Sequence, residues 1–422
     1  MTRTGLSQVL RIAEYRALWT AETLSVAGDQ LARVALAVLV YDRSGSAAWA
    51  AFTYALTFLP ALLGGLLLGA LADRYPRRSV MVVADLVRAV LLAVMAIPAV
   101  PLWLLATLLV VAVLLAAPHS AAQGALLPAV LPGEQYERGL AVRQITGQAA
   151  QIVGFAAGGI AVAAVGPSTA LALDAVTFAV SAAVVRFGVA ARPCPRAASD
   201  AVRSSWRRDI ADGVRVVFSD RRRRTLALLA WLVGCYVVPE GLAAPYAADI
   251  GASAGAVGLL MAADPAGSVL GAWLFTRFVP LRHRERLIGV LAACAGLPLV
   301  ACALRPDLLT STILWAASGM FSTAYILQAQ ASFVRLTPDE MRGTAIGVVA
   351  SGIIAAQGAA LLLAGPLADL LSSAVVVSIS GAAGVGLAAV LAHMWRQALT
   401  SEGRGPGEDH PPSTEEPRLD PK

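Results

Sequence analysis

The sequence predicts an all-α integral membrane protein: twelve transmembrane helices in two six-helix halves. Three observations predict it. Of 422 residues, 58% are hydrophobic and 14% charged, with mean hydropathy +0.70, whereas soluble domains run at about 45–50% apolar and about 25% charged. The apolar residues fall into runs close to the roughly 20 residues that a membrane-crossing helix needs. Between the runs, arginines accumulate in alternate gaps.

The first run, 16–40, follows Arg3, Arg11 and Arg16 and is interrupted by Glu22, Asp29 and Arg33. It lacks a small-residue cleavage site, so it reads as a retained span and not a signal peptide. Runs at 48–72, 79–98, 102–131, 139–165 and 168–188 complete an N-terminal half, 1–188. A linker at 189–223 opens on Arg192-Pro193-Cys194-Pro195 and ends in Arg221 to Arg224. Within it Trp206, Ile210, Val214 and Val217 recur at helical spacing, which predicts an amphipathic helix at the cytoplasmic interface. Runs at 224–248, 253–277, 284–303, 308–336, 342–367 and 372–395 form the C-terminal half, 224–398. The tail 399–422 is rich in proline, glycine and charge, a composition that predicts disorder.

Orientation follows from the arginine bias. Arg74, Arg77, Arg78, Arg138, Arg277, Arg282, Arg284, Arg286, Arg342 and the linker mark one side, against Arg43 and Arg305 on the other. Both termini are therefore expected in the cytoplasm, in a multi-pass protein of the cell (inner) membrane. The net charge of +6 belongs to these gaps and calls for no nucleic-acid partner. A weak internal repeat links the halves. Leu131-Pro132-Gly133-Glu134 followed by Arg138-Gly139 is matched by Thr337-Pro338-Asp339-Glu340 followed by Arg342-Gly343. Such pairs fit parallel repeats about an axis along the membrane normal.

The most specific motif lies between runs two and three: Gly69, Asp73, Arg74, Arg77 and Arg78. A small residue there lets helices approach, and an acid among arginines can form charge-assisted bonds that break when the halves move. This pattern resembles the loop signature of the major facilitator superfamily, with Pro76 where glycine is usual. Tyr15 to Trp19, Gly28-Asp29, Ala84 to Arg88 and Leu173 to Phe178 are similar to its macrolide-efflux-like branch, which includes siderophore exporters. The resemblance runs from about residue 14 to 370. It implies proton-driven export of amphiphilic small molecules, with Asp73, Arg74, Arg77, Arg78, Asp85 and Arg88 serving a cytoplasmic gating loop. Two departures stand out. Gly154 is followed by Phe155 before Gly158-Gly159, where exporters often have Gly-Pro-x-x-Gly-Gly. Ser120 precedes Gln123-Gly124, where many proton-coupled members have Arg-x-x-Gln-Gly. Gly154, Gly158 and Gly159 still read as helix-packing positions.

Ionisable groups inside spans cost several kcal/mol unless partnered or hydrated, so they mark function. Glu22, Asp29 and Arg33 are spaced 7 and 4 apart and share a stripe. That stripe lines an aqueous cavity or packs on polar groups of other helices. Asp29, near mid-membrane, reads either as a proton carrier or as a structural partner of Arg33. Glu240 and Asp264 are further candidates for substrate or proton work. Asp174 and His119 fit structural roles, Asp85 and Arg88 support the Asp73 loop, and Gln123 offers an uncharged donor and acceptor.

The four histidines are scattered, and no Walker sequence occurs in a chain whose one lysine is Lys422. Neither an enzyme nor a P-loop ATPase is expected, and no cofactor or metal. Cys194, Cys235, Cys294 and Cys302 lack ligand spacing. The expected partners are a small-molecule substrate, protons and the lipid bilayer, with the protein a monomer. Nutrient uptake, and a receptor that transports nothing, are the competing readings.

Overall fold

In lipid a lone segment can satisfy its backbone polar groups only as a helix. The computed structural model of the chain is accordingly helical in every apolar run, with no strand among the described residues. The structure describes residues 6–68, 71–192 and 206–400. Gly69 lies outside them, as do Cys194 and residues 401–422 of the tail.

Helix α1 spans Ala13–Ser44. The second run is broken into α2 (Ala47–Ala55), α3 (Leu59–Leu68) and α4 (Leu71–Arg74). There follow α5 (Arg77–Met95), α6 (Leu102–Val130), α7 (Glu134–Val165) and α8 (Pro167–Gly188). Proline opens α8 because its missing N–H would be unpaired at a helix start in any case. The linker holds α9 (Trp206–Ser219). Run seven is fragmented into α10 (Arg221–Trp231), α11 (Val233–Tyr236), α12 (Val238–Gly241) and α13 (Ala243–Asp249). Pro239 and Pro245 cannot donate along the helix, and the last piece is bent by 53°. The chain continues through α14 (Ala254–Phe278), α15 (Leu281–Val300), α16 (Leu308–Leu336), α17 (Arg342–Leu370) and α18 (Ser373–Thr400). Asp307 caps α16, and the Thr310 side chain and amide bonded to it hold its carboxyl below the usual range.

By length and apolarity alone, eight helical stretches of the described residues can cross a membrane, or nine if the bent pair counts as one span. That is fewer than the expected twelve, for identifiable reasons. One stretch, Gln135–Gly188, is 54 residues long and contains both α7 and α8. Helix α5 carries Arg78, Asp85 and Arg88, and α16 is rich in serine, threonine and glutamine, so neither is apolar enough.

Helices α1 to α8 pack mainly on one another, as do α10 to α18. Two seams join the groups, α7 against α14 and α2 against α17. In the first seam the backbones touch. A Cβ on Gly159 would sit 2.5 Å from the Gly255 carbonyl oxygen and 2.9 Å from Gly258 Cα. In the second, Asp369 at the end of α17 accepts from Ser46 Oγ at 2.7 Å and from the Ala47 amide at 2.5 Å, capping α2 from the other group. Both seams lie toward the end of the molecule that carries the α1–α2 turn.

The linker helix packs on α17. Val217 is fully buried, and Gly213 approaches Thr344 and Val348 of α17. Helix α9 is docked on the second group.

Candidate functional site

The charged stripe of α1 is divided among three neighbouring helix sets. Glu22 Oε1 accepts from Arg143 Nε of α7 at 2.5 Å, and its Oε2 accepts from Gln123 Nε2 of α6 at 2.9 Å. Two further bonds pin α1 to α7 nearby: Tyr15 Oη donates to the Gly139 carbonyl at 2.8 Å, and Trp19 Nε1 to Thr146 Oγ1 at 3.0 Å. Beside the Glu22–Arg143 pair opens a cavity of about 620 Å³, lined also by Val26, Gln144, Gln148 and Gln151.

Asp29 does not pair with Arg33. Arg88 of α5 donates to its Oδ1 at 2.6 Å. Sequence spacing favoured the i,i+4 neighbour, but Arg88 lies eleven residues into α5, about 16 Å at 1.5 Å per residue, and so reaches the depth of Asp29. Asp85 and Arg88, expected to support the Asp73 loop, find their partners on α1 and α8. The Arg88 guanidinium lies 4.0 Å from the Phe178 ring centroid of α8. Asp85 is fully buried and accepts from Ser181 Oγ of α8 at 2.6 Å. His119 Nε2 of α6 stands 3.3 Å from Asp85 Oδ1, outside hydrogen-bonding geometry. Asp174 is likewise buried and accepts from Thr177 Oγ1 at 2.8 Å, while its Oδ2 makes no hydrogen bond among the described residues. Both residues are therefore part of the interior of the first group.

Arg33 turns instead to α2 and the break after it, 5.9 Å from the Tyr54 ring centroid and 5.8 Å from that of Phe58. The Tyr54 hydroxyl donates to Glu240 Oε2 of α12. Arg33, Tyr54 and Glu240 thus form a polar contact between the two helix groups. Asp264 lies partly buried in α14 and makes no hydrogen bond among the described residues.

At the loop, Asp73 lies on α4. Arg77 donates to the Ala125 carbonyl of α6 at 2.8 Å, and Arg78 to the Val189 carbonyl at 3.1 Å. Arg74 is solvent-exposed at the end of α4. Of the packing glycines, Gly154 and Gly158 lie against Ala27 and Leu31 of α1, while Gly159 belongs to the α14 seam.

Sequence reasoning missed Arg143 and Tyr54. The signal for Arg143 was present, an arginine inside an apolar run, but it falls close enough to the run's start to read as interfacial charge. No ligand-like group of three or more His, Cys, Asp or Glu occurs among the described residues.

The sequence model described as Major Facilitator Superfamily matches residues 18–244. The chain belongs to the major facilitator superfamily. It is a multi-pass membrane protein of a transporter family, not an enzyme. Among relatives, the Multidrug efflux pump Tap of Mycobacterium tuberculosis is 29% identical over 371 residues, covering 83% of this chain and 85% of that protein. Macrolide efflux protein A of Streptococcus pyogenes is 28% identical over 126 residues, 29% of this chain and 31% of that protein. Among solved structures, the nucleoside transporter NupG superposes with TM-score 0.73 at 13% identity, over 91% of this chain and 99% of that one. A bacterial homologue of the lysosomal transporter Spinster, inward-facing and unoccupied, gives 0.72 at 15%, over 95% and 98%. These solved structures share the major facilitator fold with this chain.

Proposed function

We propose that the chain exports amphiphilic small molecules by alternating access between halves 1–188 and 224–398, driven by protons, with both termini cytoplasmic. One observation carries the reading. Along α7, Arg143 to Gln151 line the cavity, while the Gly159 region is sealed against α14. The cavity and the α14 seam occupy opposite parts of the same helix. With the arginine-rich side in the cytoplasm, this is a state closed to the outside. The substrate class follows the efflux pumps to which the chain is similar. In the opposite state the Asp73 and Arg77 loop, with Gly69, Arg74 and Arg78 around it, latches the cytoplasmic side.

Asp29 is the proton carrier in this reading. Its side chain retains 36% exposure although it pairs with Arg88, so water can reach it. The test measures accumulation of antibiotic and siderophore probes in everted vesicles, with and without an uncoupler. Asp29→Asn is expected to abolish gradient-driven accumulation and retain downhill exchange, and Asp29→Glu to keep partial activity. Full uncoupler-sensitive accumulation by Asp29→Asn would transfer the role to Glu240 or Asp264. Uptake into right-side-out cells that rises with the gradient would reverse the direction of transport.

A further inference from the structure

We infer that Arg143 makes the α1–α7 cavity a selector of uncharged and zwitterionic amphiphiles and excludes lipophilic cations. The inference rests on the preceding reading, that this cavity receives the solute. Glu22 is the carboxylate a cation would seek, since it is the acid among the described lining residues. Both of its oxygens are already taken, by Arg143 at 2.5 Å and Gln123 at 2.9 Å. The formal charges of Glu22 and Arg143 cancel. A cation entering here would have to displace the guanidinium and then remain beside it, exchanging one attraction for a repulsion. Arg143 is only 29% exposed and Glu22 19%, so water screens that repulsion less than at a protein surface.

The geometry resists such displacement. The Tyr15–Gly139 and Trp19–Thr146 bonds fix the register of α1 on α7, so Arg143 is held opposite Glu22 by contacts independent of the ion pair. What the cavity leaves free is uncharged. Gln144, Gln148 and Gln151 follow one another at intervals of 4 and 3, which places them on one helix face. Their amides make no hydrogen bond among the described residues, and each offers a carbonyl acceptor and two N–H donors. With Val26 opposite, this is a wall for hydroxyl, carbonyl or amide groups carried on an apolar body. The volume of about 620 Å³ is within the range of drug-sized sites.

The test is equilibrium binding of two probes to the purified full chain in nanodiscs: chloramphenicol, which is uncharged, and tetraphenylphosphonium, a lipophilic cation. The wild type is expected to bind the cation at least about tenfold more weakly than the uncharged probe. Arg143→Gln, which leaves Glu22 unpaired, should tighten cation binding at least about tenfold and shift the uncharged probe by less than about threefold. Arg143→Lys and the double variant Glu22→Gln/Arg143→Gln both restore neutrality and should restore the wild-type order, which separates charge from misfolding. A wild type that prefers the cation, an Arg143→Gln variant with an unchanged ratio, or binding of neither probe by a wild type that still transports another solute would each overturn the inference. Proteoliposome transport separates it from the reading beneath it. The charge order without proton-driven movement defeats only proton-coupled export, and proton-driven movement without the charge order defeats only the role of Arg143.

Discussion

At the residue scale, partnership decides what each buried charge is able to do. Arg88 is shared between the Asp29 carboxylate and the Phe178 ring, an arrangement that favours arginine over lysine because the planar guanidinium can bond and stack at once. Tyr54 adds a second polar bond between the two groups beside the Asp369 cap, its hydroxyl donating to Glu240 with Arg33 close by. A hydrogen bond to a charged group contributes about 1.5–3 kcal/mol. Tyr54→Phe is therefore expected to favour separation of the seams by roughly tenfold or more while leaving the fold intact. Distance distributions between spin labels at the outer ends of α2 and α17 would read this directly. An unchanged distribution would reduce Tyr54 to a packing residue. The charges themselves were legible in the sequence, because Glu22, Asp29, Arg33, Glu240 and Asp264 interrupt apolar runs. Their partners were not, since Arg88, Arg143 and Tyr54 are brought close only when helices distant in sequence cross. The nearest charge along the chain, Arg33, was the wrong partner for Asp29.

At the element scale, the runs became helices because lipid leaves a lone segment no other solution, and so the helices could be read without tertiary information. Helix ends differ from run ends for a simple reason. Charged residues such as Glu14 and Arg43 prolong α1 beyond its apolar stretch, and Pro239 and Pro245 divide a run whose hydropathy is continuous. Ser46 is a local N-cap of α2, but the second cap was invisible in sequence, for Asp369 lies more than three hundred positions away from Ala47. Loss of an N-cap costs about 0.5–2 kcal/mol. Asp369→Asn keeps one acceptor and should have a smaller effect than Asp369→Ala, which is expected to raise the exposure of a cysteine placed at Ser46 to an impermeant thiol reagent several-fold. Equal labelling rates in both variants and the parent would mean that the cap does not contribute to closure. In the other seam, Gly258→Val should hold α7 and α14 apart, since the Phe155 and Gly159 backbones already occupy the space of a side chain. Faster labelling at the outer ends of those helices is the expected readout.

At the scale of the whole molecule, the two groups are joined by narrow seams and by the linker, and α9 is fastened to the second of them. The linker helix is therefore expected to travel with α17. Cross-linking α9 to α17 should leave transport rates unchanged, whereas fixing α9 to the first group should arrest the cycle. Truncation after residue 399 is expected to leave membrane insertion and transport at wild-type levels, because the composition beyond it cannot bury a core. Loss of either in the truncated protein would assign the tail a role. The all-helical membrane plan was the most legible level of all, carried by hydropathy. The division of labour within the first group was the least legible, because a buried network such as Asp85, Ser181 and His119 has no local sequence pattern.

The backbone contact of Gly159 with Gly255 and Gly258 has a consequence for how such a protein can change over time. A surface made of glycine takes no part in recognising a solute, yet its tightness sets how readily that surface parts. A methyl group on Gly159 or Gly258 has no room until the two backbones part, so it would change how readily this surface opens without altering what is carried. Selection for speed and selection for cargo can therefore act on different residues.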